Sequence, residues 1–306
     1  MSMLQQTITA VRQRTHSALS ISALAVLLAG CAAAPPPLSP QTEALLKAQP
    51  PIRFLLTFDD GPSRDKTDNP TLSILHTLAD NPQENGIKAL FFVQTRSWGA
   101  GDTVAGQEIM RQEVAQGQLL GFHTATPFHS NHRFLKPEVL EQSLNDGISD
   151  ITALQGEPPK LVRPPFWNYD QRTFTTYQQH GMHILLTDLS ANDGKIYGIK
   201  GSLRRRSNLL HELADLREHI AQGKLPVVDG NIPVLVAFHD INSYTADHMA
   251  EYLEILTTSA REVHLQTAAK PFYDDRRAVE RAALGRSVQD GAQIPELPGL
   301  WKWIWE

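Results

Sequence analysis

Arg53-Phe54-Leu55-Leu56-Thr57-Phe58-Asp59-Asp60-Gly61-Pro62 is the stretch on which the reading of this chain turns. Its first six residues form a short apolar and aromatic run of strand length. The run passes directly into two adjacent carboxylates and a Gly-Pro turn. Acids at the carboxyl end of a strand stand where both closed barrels and open α/β sheets keep their chemistry. One such carboxylate can coordinate a cation while its neighbour takes a proton. Asp-Gly followed by Pro is also ordinary turn chemistry, so this stretch alone leaves turn and site both open.

Outward from it the pattern repeats. Strands predicted over 53–58, 89–93, 119–123, 160–163, 183–188, 234–239 and 262–267 alternate with helices predicted over 71–80, 104–116, 137–154, 171–180, 203–222 and 246–260. Such alternation marks a sheet built from βα units. Seven strands with intervening helices predict an α/β fold, a single (β/α) barrel, distorted and seven-stranded. A doubly wound open sheet is the competitor. With neither repeat nor interior linker, residues 51–270 read as one catalytic domain and 271–306 as a C-terminal extension packing on the barrel. A chain of 306 residues is long enough to bury a core of that size.

The other strand ends are also ionisable. The third predicted strand ends at His123, and His129 and His132 follow within nine residues; imidazoles beside a carboxylate are a common zinc set. Arg163 ends the fourth and is followed by Pro164-Pro165-Phe166-Trp167; a guanidinium there suits a two-point grip on a carboxylate. Asp188 and the pair His239-Asp240 end two more. Chance clustering, in a chain with 12 histidines, explains any one of these but not five strand ends at once.

Taken in order, these motifs resemble the polysaccharide deacetylases of the NodB-homology type, carbohydrate esterase family 4, across most of residues 52–245. Thr57-Phe58-Asp59-Asp60-Gly61-Pro62 is similar to the first family motif almost letter for letter, Arg163-Pro164-Pro165-Phe166 to the third and Phe238-His239-Asp240 to the last. Asp188 resembles the fourth more loosely, with Asp193 as its rival. The second motif departs: the family sets its two metal histidines four positions apart, and here Pro127 fills that place. A two-residue insertion makes His123 and His129 the pair, with His132 the alternative. The resemblance implies a divalent metal, zinc by default, held by Asp60, His123 and His129. It also implies Asp59 as general base steadied by Arg163, His239 as general acid tuned by Asp188, and an oxyanion contact from the Phe166 backbone N–H. Phe166 and Trp167 are the candidate substrate contacts. The implied activity is hydrolytic removal of acetyl groups from an N-acetylated, N-acetylglucosamine-type polysaccharide. Two rivals differ in class: a barrel glycoside hydrolase using Asp59 and Asp188 without metal, and a non-catalytic polysaccharide-binding lipoprotein on the same scaffold.

The N-terminus reads as an export signal. Arg12, Arg14 and His16 precede an apolar stretch over 18–29, and Leu28-Ala29-Gly30-Cys31 places the chain's single cysteine where a bacterial lipoprotein is acylated. Residues 1–30 are thus expected to be a signal peptide and 31–50 the lipidated Cys31 with a Pro/Ala tether. Ala32 after the cysteine favours the periplasmic face of the outer membrane. Formal charge moves from −5 to −7 once Arg12 and Arg14 are removed. That balance lacks the basic excess of a nucleic-acid binder. Trp98 and the tryptophans of 300–305 offer flat faces to sugars, though packing is the commoner fate of such residues.

Overall fold

A computed structural model describes residues 38–193, 195–196, 199–200 and 204–292. The expected signal peptide over 1–30, Cys31 and the tryptophans of 300–305 lie outside the described residues. Among the described residues no helix is long and apolar enough to cross a membrane.

In chain order the elements are α1 (Pro40–Lys47), β1 (Ile52–Asp59), α2 (Pro70–Ala79), β2 (Leu90–Gln94), α3 (Val104–Ala115), β3 (Leu119–Thr124), α4 (Pro137–Gln155), β4 (Leu161–Val162), α5 (Gln171–Gln179), β5 (His183–Ile184), β6 (Leu189–Ser190), a small antiparallel pair β7 (Lys195–Ile196) and β8 (Ile199–Lys200), α6 (Arg205–Ala221), β9 (Ile232–His239), α7 (Ser243–Asp247), α8 (Met249–Glu262), β10 (Thr267–Phe272) and α9 (Arg276–Gly285). Helix starts follow the local chemistry. Proline opens α1, α2 and α4, and the side chains of Ser39, Asn69, Thr103, Asp170 and Asp275 accept from the backbone N–H groups of the first turn. Two expectations give way. Residues 40–47 of the expected tether form α1, whose Leu46 is buried. The strand expected over 262–267 starts only at Thr267, because α8 runs on through Glu262.

Seven parallel strands lie in the order β5-β4-β3-β2-β1-β9-β6, with β10 beside the lower half of β1. The two edges are joined by only four residues, 185–188. Laid flat, six strand spacings of about 4.8 Å would separate β5 from β6 by about 29 Å, whereas that connection reaches about 18 Å at most. The sheet is therefore curled into a half-barrel. Its closing segment bonds to β4 at one end (Leu185 N to Val162 O, 2.9 Å) and to β9 at the other (Asp188 N to Leu235 O, 3.1 Å). What the sequence showed as a single strand over 183–188 is this bridge, paired on different sides at its two ends.

Strand alternation sorts residues between two layers. Phe54, Leu56 and Phe58 of β1 join the core between sheet and helices. Leu55 of β1 faces inward, in a ring with Leu90, Leu119, Leu161 and Leu235 of β2, β3, β4 and β9 and with Leu185 of the 185–188 connection, onto which α9 packs Val279, Ala282 and Ala283. Two to four residues further along each strand, in the same inward phase, come Asp59, Gln94, His123, Arg163 and His239. The apolar ring is the floor, and the polar ends stand above it.

Candidate metal centre

Asp59 and Asp60 are neighbours, yet both serve one site. On a regular strand their side chains would point to opposite faces, but Asp60 has φ 76° and turns out of the strand. Gly61 makes room for this bend: a Cβ there would stand 2.1 Å from Asp240 Oδ2. The Asp60 carboxylate swings toward β3, where Oδ1 lies 3.2 Å from His123 Nε2 and 3.4 Å from His129 Nε2. The two Nε2 atoms are 3.0 Å apart. His123 Nδ1 donates to the Arg163 carbonyl (2.6 Å), which leaves its Nε2 as a lone pair facing the site. Gln94 Nε2 donates to Asp60 Oδ1 (3.0 Å) and fixes the carboxylate from the side.

The electrostatics agree with this geometry. Burial raises Asp60, but the His123 hydrogen bond and the charges of His129, His123 and His239 outweigh it and hold the carboxyl well below its usual range. Burial pushes His129 down to about 4 against the pull of Asp60, so at neutral pH that imidazole also presents a lone pair. One carboxylate and two imidazole nitrogens, all donor atoms within 4.8 Å of one another, fit a divalent cation with further positions left open.

His129 reaches this position because Pro127 breaks the helical course the family spacing would follow. The loop is pinned by Thr124 Oγ1 against Thr126 Oγ1 (2.9 Å) and by the Thr126 hydroxyl donating to Phe128 O. His132, the alternative ligand, is elsewhere: it is fully buried, its Nδ1 lies 2.8 Å from the Tyr177 hydroxyl, and burial lowers it to about 3.

Beside the three donors, Asp59 is gripped from within the barrel. Arg163 Nη1 donates to Asp59 Oδ1 (2.8 Å) and Thr57 Oγ1 (2.7 Å), while Nε and Nη2 donate to the carbonyls of Leu185 and Leu186. The guanidinium is sandwiched between Phe92 and Trp167, 4.4 and 4.6 Å from their ring centres. This assigns Trp167 differently from its expected substrate contact: at 5% exposure it covers Arg163 and has no free face for a sugar. Phe166, at φ 61°, is 41% exposed, and its ring lies 4.5 Å from that of His129.

His239 is the register partner of Asp59 on β9. The expectation that Asp188 tunes it is overturned. Asp188 accepts from Leu235 N (2.8 Å), four residues below His239, and pairs with Arg286. Asp193 takes the role instead, its Oδ1 accepting from His239 Nδ1 (2.8 Å) and its Oδ2 from His239 N (2.8 Å) and the Thr245 hydroxyl. Burial disfavours the imidazolium, but Asp193, with Asp60 and Asp59 behind it, raises His239 to about 10. Sequence reasoning missed Gln94 and Thr245. Gln94 shares the inward phase of Leu90 and Phe92, a period-two signal that marks it.

Comparison with known proteins agrees with the fold and motifs. Residues 47–185 match the family described as polysaccharide deacetylase. A chitin deacetylase from Pestalotiopsis sp is 26% identical over 174 residues, 55% of this chain and 54% of that protein. One from Colletotrichum lindemuthianum is 26% identical over 156 residues, 49% of this chain and 56% of that one. The chain thus spans about half the length of the curated relatives it matches. The solved structure of the chitin deacetylase from Colletotrichum lindemuthianum shares the fold, with a TM-score of 0.52 at 21% identity over 72% of this chain and 86% of that one.

Proposed function

We propose that this protein is a metal-dependent deacetylase that hydrolyses the acetamide of N-acetylglucosamine units in a polysaccharide. The observation that carries the proposal is the convergence of Asp60, His123 and His129 on one point, with a clamped acid on one side and a charged histidine on the other. A cation there, zinc by its imidazole and carboxylate donors, supplies a Lewis acid that polarises the acetamide carbonyl and makes water easier to deprotonate. Asp59, held in place by Arg163, takes the proton from the attacking water. The Phe166 backbone N–H meets the oxyanion of the tetrahedral intermediate. His239, kept protonated by Asp193, gives its proton to the leaving amine.

The expected outcome in an assay on acetylated glucosamine oligomers is release of one acetate per amine exposed, lost on chelation and restored by zinc. Activity that survives complete chelation would refute the metal role; no acetate from any acetylated glycan would leave a carbohydrate-binding protein. The glycoside hydrolase reading loses its second acid, since Asp188 is committed to Arg286 below the site. We further propose, on the sequence around Cys31, a lipid-anchored location in the bacterial envelope; labelling with a radioactive fatty acid in cells, absent in Cys31→Ser, tests it.

A further inference from the structure

Glu212 is an acid that the proposed reaction leaves unused and the fold nonetheless buries. It stands on α6 at 9% exposure, among Leu209, Leu210, Leu213 and Leu216 of the same helix, all buried. Glutamate is rarely withdrawn from water to this degree without a cation beside it. Here its partners are a backbone amide and a side-chain amide. Oε2 accepts from Ser190 N (2.7 Å) and Oε1 from Asn192 Nδ2 (3.4 Å). Burial pushes the carboxyl up to about 8 against those two hydrogen bonds, and Asp215 adds to the rise. At neutral pH Glu212 therefore acts by shape and not by charge.

What Glu212 grips is the turn that delivers Asp193 to His239. β6 ends at Ser190, Ala191 N still donates across to Ala237 O on β9 (3.0 Å), and the chain then bends through Asn192 at φ 49°. Left-handed backbone is uncommon outside glycine, and asparagine is among the types that tolerate it. Three hydrogen bonds hold Asn192 there. Its N–H donates to Ser190 Oγ (3.3 Å), and its Nδ2 is shared between Ser190 O (3.3 Å) and Glu212 Oε1. Asp193 follows directly, and its own partners lie on the opposite side: His239, Thr245 and Asn242, whose Nδ2 donates to Asp193 O. β9 and the turn into α7 fix the receiving end of the Asp193–His239 bond. Glu212 fixes the delivering end.

Resting on the deacetylase reading, we propose that Glu212 is a positioning residue, which holds the turn over 190–192 so that the Asp193 carboxylate meets His239 Nδ1 at hydrogen-bonding distance. Relaxation of Asn192 toward ordinary right-handed backbone rotates the residue after it and draws Asp193 Oδ1 away from its 2.8 Å contact with Nδ1. A hydrogen bond weakens steeply once its length and angle leave their narrow range. Leucine at 212 fills similar space but leaves Ser190 N without an acceptor, whereas glutamine keeps an oxygen for it.

The test compares the zinc-loaded native protein with Glu212→Leu, Glu212→Gln and Asn192→Gly. Glu280→Gln serves as a control for lost stability, since Glu280 pairs with Lys160 and Arg277 on the helix packed against the leucine ring. The first readout needs no turnover: it is the Nδ1–H proton of His239 in the NMR spectrum, assigned by its absence from His239→Gln. In the native protein and in Glu212→Gln this proton is expected far downfield and slow to exchange with water; in Glu212→Leu and Asn192→Gly it moves upfield and exchanges faster. The second readout is acetate release at pH 7 from the hexamer of N-acetylglucosamine. Glu212→Leu is expected to lose about tenfold in kcat, a part of the about 10² to 10⁴ that a positioned acid supplies, with KM within about twofold and Glu212→Gln close to native. Glycine takes the left-handed turn freely, so Asn192→Gly carries the test should Glu212→Leu not fold. A native Nδ1–H signal in every variant that folds overturns the proposal, as does an equal loss of kcat in Glu280→Gln or a Glu212→Gln no better than Glu212→Leu. Should the native protein release no acetate, the deacetylase reading fails, and the Nδ1–H signal alone decides whether Glu212 places Asp193.

Discussion

Replacing Asp193 by asparagine removes the charge that keeps His239 protonated while leaving the shape of the site almost unchanged. Asp193 is fully buried and accepts every hydrogen bond it makes at its carboxylate, from His239 Nδ1, His239 N and the Thr245 hydroxyl. Asparagine can keep the last two on its oxygen, which turns its NH₂ toward Nδ1 and stabilises the neutral ring with its proton on Nε2. The pKa of His239, raised to about 10 in the native protein, then falls to the ordinary 6.5 or lower, a change of about 3.5 units, or about 5 kcal/mol of preference for the imidazolium. At pH 8 a group with pKa 6.5 is only about 3% protonated. Acetate release should therefore fall about thirtyfold at pH 8, by a ratio that grows about tenfold per pH unit above 6.5 and shrinks toward pH 6. The assay is the rate of acetate release from the hexamer of N-acetylglucosamine between pH 6 and 9, with NMR titration of the His239 ring as a readout independent of turnover. Asp188→Asn is the control. It should lower the melting temperature by loosening Arg286 and Leu235 N, and leave the shape of the pH profile alone. A native-to-variant ratio that stays flat with pH, or a His239 resonance titrating at the same pH in both proteins, would refute the reasoning.

Asp59→Asn should hold zinc as tightly as the native protein while turnover drops by about 10² to 10⁴-fold, because the base lies beside the three donors and is not one of them; full activity in this variant removes Asp59 from that role. His132 gives the fold an acid-sensitive point. Its folded pKa of about 3 lies below the ordinary 6.5, so the stability tied to the neutral ring is fully present above pH 6.5 and drains as pH falls toward 3. The slope is about 1.4 kcal/mol per unit. Urea melts at pH 7.5, 5.5 and 4.5 should show His132→Gln less stable than the native protein at pH 7.5 but with a shallower decline on acidification; parallel declines would contradict this.

Much of this architecture was legible because one-sided burial leaves a period in the sequence. The strand ends at Asp59, His123, Arg163 and His239 were visible from apolar runs stopping at ionisable residues, and inward phase does place all four above one leucine ring. The failures have physical causes. The segment over 183–188 has the composition of one strand, and only the curl of the sheet shows that its two ends pair with different neighbours. That division moved Asp188 below the site and brought Asp193 to His239, a choice between two aspartates five residues apart that periodicity cannot make. Trp167 read as a sugar contact because it follows the arginine motif, yet its indole covers that arginine. The small helix over 40–47 was hidden by the proline-rich segment before it, although Ser39-Pro40 is an N-terminal capping signal.

Whether one ion is gripped by Asp60, His123 and His129 can be read at the zinc absorption edge. X-ray absorption of the zinc-loaded protein should show a single site with two imidazole nitrogens at about 2.0 to 2.1 Å and oxygen donors at about 2.0 to 2.2 Å. His129→Ala should lose one nitrogen scatterer and weaken binding, and His132→Ala should leave the spectrum unchanged. No bound ion, or a nitrogen lost from His132→Ala and not from His129→Ala, would contradict the account.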